Sequence, residues 1–432
     1  MRGMRRHLTA LMAALAVGAP GALAAQQLEV TLAEAVRRAL AVQPAVVQAR
    51  GAASTAGWQK RAAYGAFLPT VTLTSSAFRQ NSASIVNGFN ASPGTYQYNT
   101  GLAASVDLFA GFRRLARYRN ADATQDAADA GLVNQRYQAT LATQQAFFTA
   151  LANEELVRVA QAQVKRAEQQ LKISVDKLRA GSATRSDTLR STVDRGNARL
   201  QLLQAQANLA TAQANLGRQI GVDQPVRAVP DTTLPALPDT AALRAATLET
   251  APVVRQSEAQ ARVASATVWD SRSQYWPTFT VTYSTSSQGV TEPWNGFDGP
   301  NQRNLNQLRF GLSWTLFNGF QREQLNSQNA AAASLARAQA ADARRQVSAQ
   351  LTQQLAALFT TYEQIGIAQT NVAAATEDLR VVSERYRVGA ATILDLLTSQ
   401  ASLTQAEVNL VQARYNHLIA RAQLEALVGH PL

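Results

Sequence analysis

Two carboxylates, Asp187 and Asp395, occupy the same place in two copies of one short segment. Leu178-Arg-Ala-Gly-Ser-Ala-Thr-Arg-Ser-Asp-Thr-Leu189 recurs 208 residues later as Tyr386-Arg-Val-Gly-Ala-Ala-Thr-Ile-Leu-Asp-Leu-Leu397. In each copy a threonine, Thr184 or Thr392, stands three residues before the acid, which is capping-box spacing at a helix start. Gly181 and Gly389 stand where a preceding helix needs a residue that tolerates positive φ. The chemistry available to such a segment is hydrogen bonding and fixed charge at a tight helix reversal, not bond making. No Gly-x-Ser-x-Gly, His-Glu-x-x-His or phosphate loop occurs elsewhere. Only His7, His417 and His430 are histidines and cysteine is absent, so no metal centre, cofactor site, disulfide framework or catalytic constellation is expected.

The 208-residue offset holds along the chain. Pro44 corresponds to Pro252, Pro69 to Pro277, Leu108-Phe-Ala-Gly-Phe112 to Leu316-Phe-Asn-Gly-Phe320, Asn208 to Asn416 and Gly221 to Gly429. The chain therefore reads as two copies of one unit. Residues 1–24 read as a secretory signal peptide: Arg2, Arg5 and Arg6, an apolar run from Leu8, and Ala22-Leu-Ala24 before the cut. Repeat 1 covers 25–218, a Pro-rich extended linker 219–239, and repeat 2 240–432. Loss of the leader takes the formal charge from +12 to about +9. The arginines are scattered among Gln and Ala on helix faces, so solvated faces rather than nucleic-acid binding are expected.

Each repeat must position its reversal on long helices. Thr31 and Glu34 make a capping box for a first helix that Pro44 interrupts or kinks. Pro69 ends this helical part, and the period changes to two over 70–109 and again over 278–317. Val71 and Leu73 alternate with threonines, Phe279, Val281 and Tyr283 with Thr280, Thr282 and Ser284, and Phe310, Leu312, Trp314 and Leu316 with Arg309, Gly311, Ser313 and Thr315. These are strand pairs joined by loops at 81–95 and 289–306. One face of each pair is apolar, which fits either a soluble core or a lipid-facing barrel. Residues 112–179 and 320–387 contain no proline and spell helices of roughly 100 Å. After tips at 179–188 and 387–396, return helices carry a heptad seam: Leu396, Leu403, Leu410, His417 and Leu424, and in the first copy Leu202, Leu209 and Leu216.

No apolar run of about 18 residues follows the leader, so a membrane-inserted form must be a β-barrel. Four strands cannot close one, so the strands must be shared among chains: two copies would supply eight, filled with side chains, and three would supply twelve, wide enough for a water-filled bore, with a twelve-helix tube. A periplasmic adaptor and an exported coiled-coil scaffold are the rival readings; neither accounts for duplicated strand pairs with a continuous apolar face.

Over essentially the whole mature chain the sequence resembles the TolC family of outer-membrane efflux and secretion channels. The residues that carry the resemblance are Phe67-Leu-Pro69 and Tyr275-Trp-Pro277, the Leu-Phe-x-Gly-Phe segments at Leu108 and Leu316, and the paired Gly-x-x-Thr-x-x-Asp reversals. The resemblance implies a mainly α, mixed fold: a homotrimer whose long antiparallel coiled-coil α-barrel continues into a shared twelve-stranded transmembrane β-barrel in outer-membrane lipid. It further implies a periplasmic tip that gates passive conduction and docks a periplasmic adaptor and an inner-membrane transporter of RND, ABC or MFS type. On this resemblance Asp395 forms an acidic pore ring, with Thr398 where a second acid often stands. Asp187 and Tyr386 latch neighbouring hairpins, Arg185 standing in for a family arginine replaced by Ala391. Gly181, Thr184, Gly389 and Thr392 form the adaptor-contacting tips, and Phe279, Tyr283, Phe310, Leu312 and Trp314 face the membrane.

Overall fold

The computed structural model describes residues 28–79, 96–230, 243–244, 247, 249–289 and 302–432. The signal-peptide reading, the loop at 81–95, residues 290–301 and residues 231–242 lie outside the described residues; the rest of the loop expected at 289–306 is strand, Gly289 closing β5 and residues 302–306 opening β6. Strand β1 (Leu28–Val30) leads into α1 (Leu32–Val42) and α2 (Pro44–Gly65), then β2 (Thr70–Arg79) and β3 (Tyr96–Ala110). Helix α3 (Arg113–Arg179), helix α4 (Arg185–Ile220) and strand β4 (Val226–Ala228) follow. The remainder is α5 (Pro252–Arg272), a short turn of helix at Ser273–Tyr275, β5 (Thr278–Gly289), β6 (Gln302–Ser313), α6 (Gln321–Arg387) and α7 (Ile393–Val428).

At the start of α1, Thr31 Oγ1 accepts from the Glu34 amide at 3.4 Å, as the spacing predicts. The box is only half closed, because the Glu34 carboxylate is drawn to Arg38 and Arg37 instead of the Thr31 amide. Pro44 ends α1 outright rather than kinking it. Gln43 is extended (φ −60°, ψ 123°), the conformation a following proline enforces, and Pro44 opens α2 at a position with no amide to satisfy.

The Pro-rich segment after Gly221 is not wholly a linker. Residues Val226–Ala228 pair in parallel with Leu28–Val30. Val226 and Ala228 enter a core with Val30, Phe147, Leu216 and Ile220, while Arg227 points out to Glu154 at 2.7 Å and Glu29 at 3.0 Å. Three residues are too few for alternation to register, and the partner strand lies nearly two hundred residues away.

β2, β3, β5 and β6 form one antiparallel sheet in that order. The β3–β5 pairing joins the two hairpins from Tyr98↔Gly289 to Ala110↔Thr278, with an irregularity between Asp107 and Phe109. β6 ends at Ser313, short of the expected 317. The next rung would place Trp314 opposite Pro277, which has no amide to give. The carbonyls of Thr315 and Leu316 turn instead to the buried Arg322 guanidinium, at 2.8 and 3.0 Å.

Both long helices leave the sheet through a left-handed corner, Gly111-Phe112 (φ 59° and 63°) and Gly319-Phe320 (φ 67° and 64°). Each of α3 and α6 is 67 residues, about 100 Å of rod at 1.5 Å per residue. Near the sheet, neighbouring helices run in the order α2, α3, α5, α6; at the far end the order is α4, α3, α7, α6. The heptad positions are inside the wall: Leu396, Leu403, Ala406, Ala413, His417, Ala420 and Leu424 are buried. On α4, Ala198, Ala212 and Leu216 are buried and Leu202 and Leu209 half-buried.

Candidate functional site at the helix reversals

The two reversals share one backbone solution. At the first, the Ser182 amide donates to the Lys177 carbonyl (2.9 Å) and the Gly181 amide to Leu178 (3.0 Å). At the second, Ala390 donates to Arg385 (2.8 Å) and Gly389 to Tyr386 (3.2 Å). These paired bonds satisfy the last carbonyls of α3 and α6, and they require the left-handed glycines, Gly181 at φ 75° and Gly389 at φ 84°. The chain restarts through full capping boxes. Thr184 Oγ1 accepts from the Asp187 amide (3.2 Å) while the Asp187 carboxylate accepts from the Thr184 amide (3.0 Å). Thr392 and Asp395 repeat this at 3.2 and 2.9 Å, with a further Thr392 hydroxyl bond to the carboxylate at 2.8 Å. The Thr392 amide and hydroxyl, with Arg385 nearby, hold the Asp395 carboxyl below the usual carboxylate range.

Beneath the caps the tips differ. Under the second lies an apolar cluster of Tyr386, Ile393 and Leu396. Under the first the contact is polar: Gln170 donates to Ser174 Oγ (3.2 Å), which meets Ser191 Oγ at 2.9 Å.

Asp395, Thr398, Thr184, Thr392, Gly181, Gly389 and Arg185 are exposed at the tips. Thr398 spends its hydroxyl on the Leu394 carbonyl (2.8 Å). Within the chain Tyr386 and Asp187 are not hydrogen-bonded: Asp187 is occupied in its cap, and the buried Tyr386 hydroxyl has no partner among the described residues. The first hairpin reaches Tyr386 with Lys177, whose ammonium donates to the Tyr386 carbonyl and lies 4.1 Å from the ring centre. Higher up, the Arg166 guanidinium forks onto Glu407 (2.9 and 3.3 Å) and Thr404 (3.1 Å). A cleft of about 420 Å³ between these two contacts is lined by Arg166, Ile173, Tyr386, Leu396 and Gln400. In the sequence Lys177 and Arg166 read only as members of solvated basic helix faces. Their separation of three helical turns, which sets both on one stripe of α3, was the available signal.

On the sheet, Phe279, Val281 and Tyr283 share a face with Leu308, Phe310 and Leu312 by direct pairing. Tyr283, Phe310 and Leu312 are exposed, and Phe279 stacks on Phe310 at 6.3 Å. Trp314 is exposed but lies beyond the strand, its indole donating to the Tyr275 carbonyl at 3.2 Å. Among the described residues no helix is long and apolar enough to cross a membrane.

A tall wall of antiparallel helices, capped at one end by tight reversals and fused at the other to an open-edged sheet with an exposed apolar face, is the protomer fold of outer-membrane channel proteins. The chain belongs to the outer membrane efflux protein family, whose model matches residues 35–222 and again 243–430. It is 29% identical over 179 residues to the cobalt-zinc-cadmium resistance protein CzcC of Cupriavidus metallidurans, a match covering 41% of this chain and 43% of that protein. The aligned stretch thus spans less than half of that relative. The fold is similar to VceC from Vibrio cholerae, with a TM-score of 0.78 at 17% identity over 93% of this chain and 96% of VceC. It is likewise similar to the open-state MtrE outer membrane channel of Neisseria gonorrhoeae, at 0.76 and 19% over 92% of this chain and 89% of MtrE.

Proposed function

We propose that three copies of this chain form an outer-membrane channel-tunnel that conducts cargo passively outward, gated at its helical tips. The observation that carries this is the pair of unfinished edges. β2 and β6 each have a sheet neighbour on one side only. In line with them, the outer helices of the wall carry exposed apolar side chains, Leu189, Val193, Leu200 and Leu203 on α4 and Leu335, Phe359 and Ile367 on α6. Joining these edges around a three-fold axis closes twelve strands into a barrel whose apolar face meets lipid, and twelve helices into a tube below it.

In this reading the leader at 1–24 exports the chain, two repeats at 25–218 and 240–432 build the wall, and Asp395 rings the pore. The reversals at 179–188 and 387–396 dock a periplasmic adaptor, which links the duct to an inner-membrane transporter that supplies the energy. The test is oligomer mass in detergent together with planar-bilayer conductance. A trimer with a small, stable conductance is expected. A water-soluble monomer or dimer without channel activity would overturn the assignment.

A further inference from the structure

The apolar face of the sheet does not stop where the strands do. Phe310 stacks on Phe279, and Phe279 is paired directly with Phe109, so the three share one face. Phe112 meets Phe109 edge-on at 5.4 Å, and Trp276 meets Phe112 edge-on at 5.7 Å. This aromatic run leads off the sheet into a cleft of about 410 Å³ lined by Phe112, Leu115, Arg119, Trp269, Arg272 and Trp276. A second hollow of about 520 Å³ continues from it, sharing Arg119 and Trp269 and adding Arg262 and Arg337.

The charges there are unbalanced. Arg119, Arg262 and Arg272 are exposed and take no ion pair or hydrogen bond among the described residues, and Arg337 has only the Ser265 hydroxyl at 3.2 Å. Of the nearby acids, Glu258 is taken by Arg344, and Asp270 has a single loose ion pair with Arg117 at 3.8 Å. The lining comes from α3, α5 and α6 of one chain, so the site is complete without a neighbour.

We propose that this cleft binds an anionic phospholipid of the inner leaflet, its acyl chains along the aromatic run and its phosphate among the arginines. Resting on the channel reading, the proposal follows from depth. If the apolar face spans hydrocarbon, the corner just beyond the strands lies at headgroup level, where tryptophan is at home. Guanidinium groups there recognise phosphate by paired hydrogen bonds. A wholly apolar ligand would leave the arginines unused, and a free anion would leave the tryptophans so.

The experiment is native mass spectrometry of the delipidated oligomer offered phosphatidylglycerol or phosphatidylcholine, for wild type and for Arg119→Gln with Arg272→Gln. Wild type is expected to retain phosphatidylglycerol preferentially, the preference falling about fivefold for each arginine removed. Equal retention of the two lipids, or a preference that survives the double substitution, would overturn the site. So would displacement of the lipid by an equal concentration of inorganic phosphate, which would mark a simple anion site. If the double variant does not assemble, photoactivatable phosphatidylglycerol on wild type decides: labelling of peptides spanning 112–119 and 269–276 supports the cleft, and labelling only elsewhere refutes it. Bilayer conductance separates the two readings. A conducting oligomer without lipid preference removes the lipid site alone, whereas a chain that does not insert removes both.

Discussion

Lys177 and Tyr386 are joined twice, by a hydrogen bond from the ammonium to the tyrosine carbonyl and by the ring face 4.1 Å from the nitrogen. One residue belongs to the first hairpin and the other to the last turn of α6. This contact ties the hairpins together just inside the reversals, and it uses the backbone and ring of Tyr386 rather than its hydroxyl.

Lys177→Met keeps the length of the stem but removes the charge, at a cost of about 1–3 kcal/mol to the contact. Higher single-channel conductance than wild type is expected from it. Tyr386→Phe, which removes only a hydroxyl without a partner among the described residues, should leave conductance near wild type. A large effect of the Phe variant with none from Lys177→Met would place the latch on the hydroxyl instead.

Asp395 both caps α7 and carries charge. Asp395→Asn preserves an acceptor for the Thr392 amide and removes the charge, so it should reduce cation preference and block by multivalent cations with little change in thermal stability. Asp395→Ala loses both roles and should cost about 1 kcal/mol more. Reversal potentials in a salt gradient, alongside melting in detergent, separate the two.

His417 is 1% exposed between α6 and α7, beside Thr361 at 3.3 Å and the Tyr362 ring. Burial, aided by Arg421, pushes its pKa below the ordinary 6.5, against the pull of a bond to the Leu358 backbone. The unfolded chain therefore binds the proton first. The stabilisation is complete above the unfolded value and is lost as pH falls from about 6.5 toward the lower folded value. Melting temperature should drop across that window, and His417→Leu, matching Leu209 of the first repeat, should flatten the drop.

Gly111 and Gly319 have nearly the same positive φ, yet only Gly111 is crowded: an added Cβ would lie 2.6 Å from Trp276 Cβ and 2.7 Å from the Ser273 carbonyl. At Gly319 nothing lies within 4 Å. Gly319→Ala should cost about 1 kcal/mol, the backbone term alone, and Gly111→Ala clearly more. The yield of heat-resistant oligomer compares them, and equal losses would mean that backbone strain is all that matters.

Legibility in the sequence followed the range of the interactions. Gly181, Thr184 and Asp187 lie within seven residues, and each type has one dominant reason to stand there, so the reversals were readable to the residue. The seam from Leu396 to Leu424 was readable because its period repeats. Val226–Ala228 was not, because its strand character comes from Val30 and Phe147 rather than from its own composition. The half-closed box at Glu34 failed because Arg37 and Arg38 compete for the carboxylate. Lys177 and Arg166 look like any other cations on a long polar helix until Tyr386 and Glu407 are brought across from the second half of the chain.

The rods α3 and α6 each turn out of the sheet at a single left-handed corner and run unbroken to their reversals. Mechanically each is a lever with a very short arm at Phe112 or Phe320 and a long arm at the tip. On a rod of about 100 Å, a tilt of about 3° at the corner sweeps the far end through about 5 Å. A Lys177–Tyr386 contact holds only within hydrogen-bonding reach, so a rotation too small to disturb the packing around the corner is enough to part it. The gearing is one of length: a few degrees at the corner become several ångströms at the reversal, about 100 Å along the same helix.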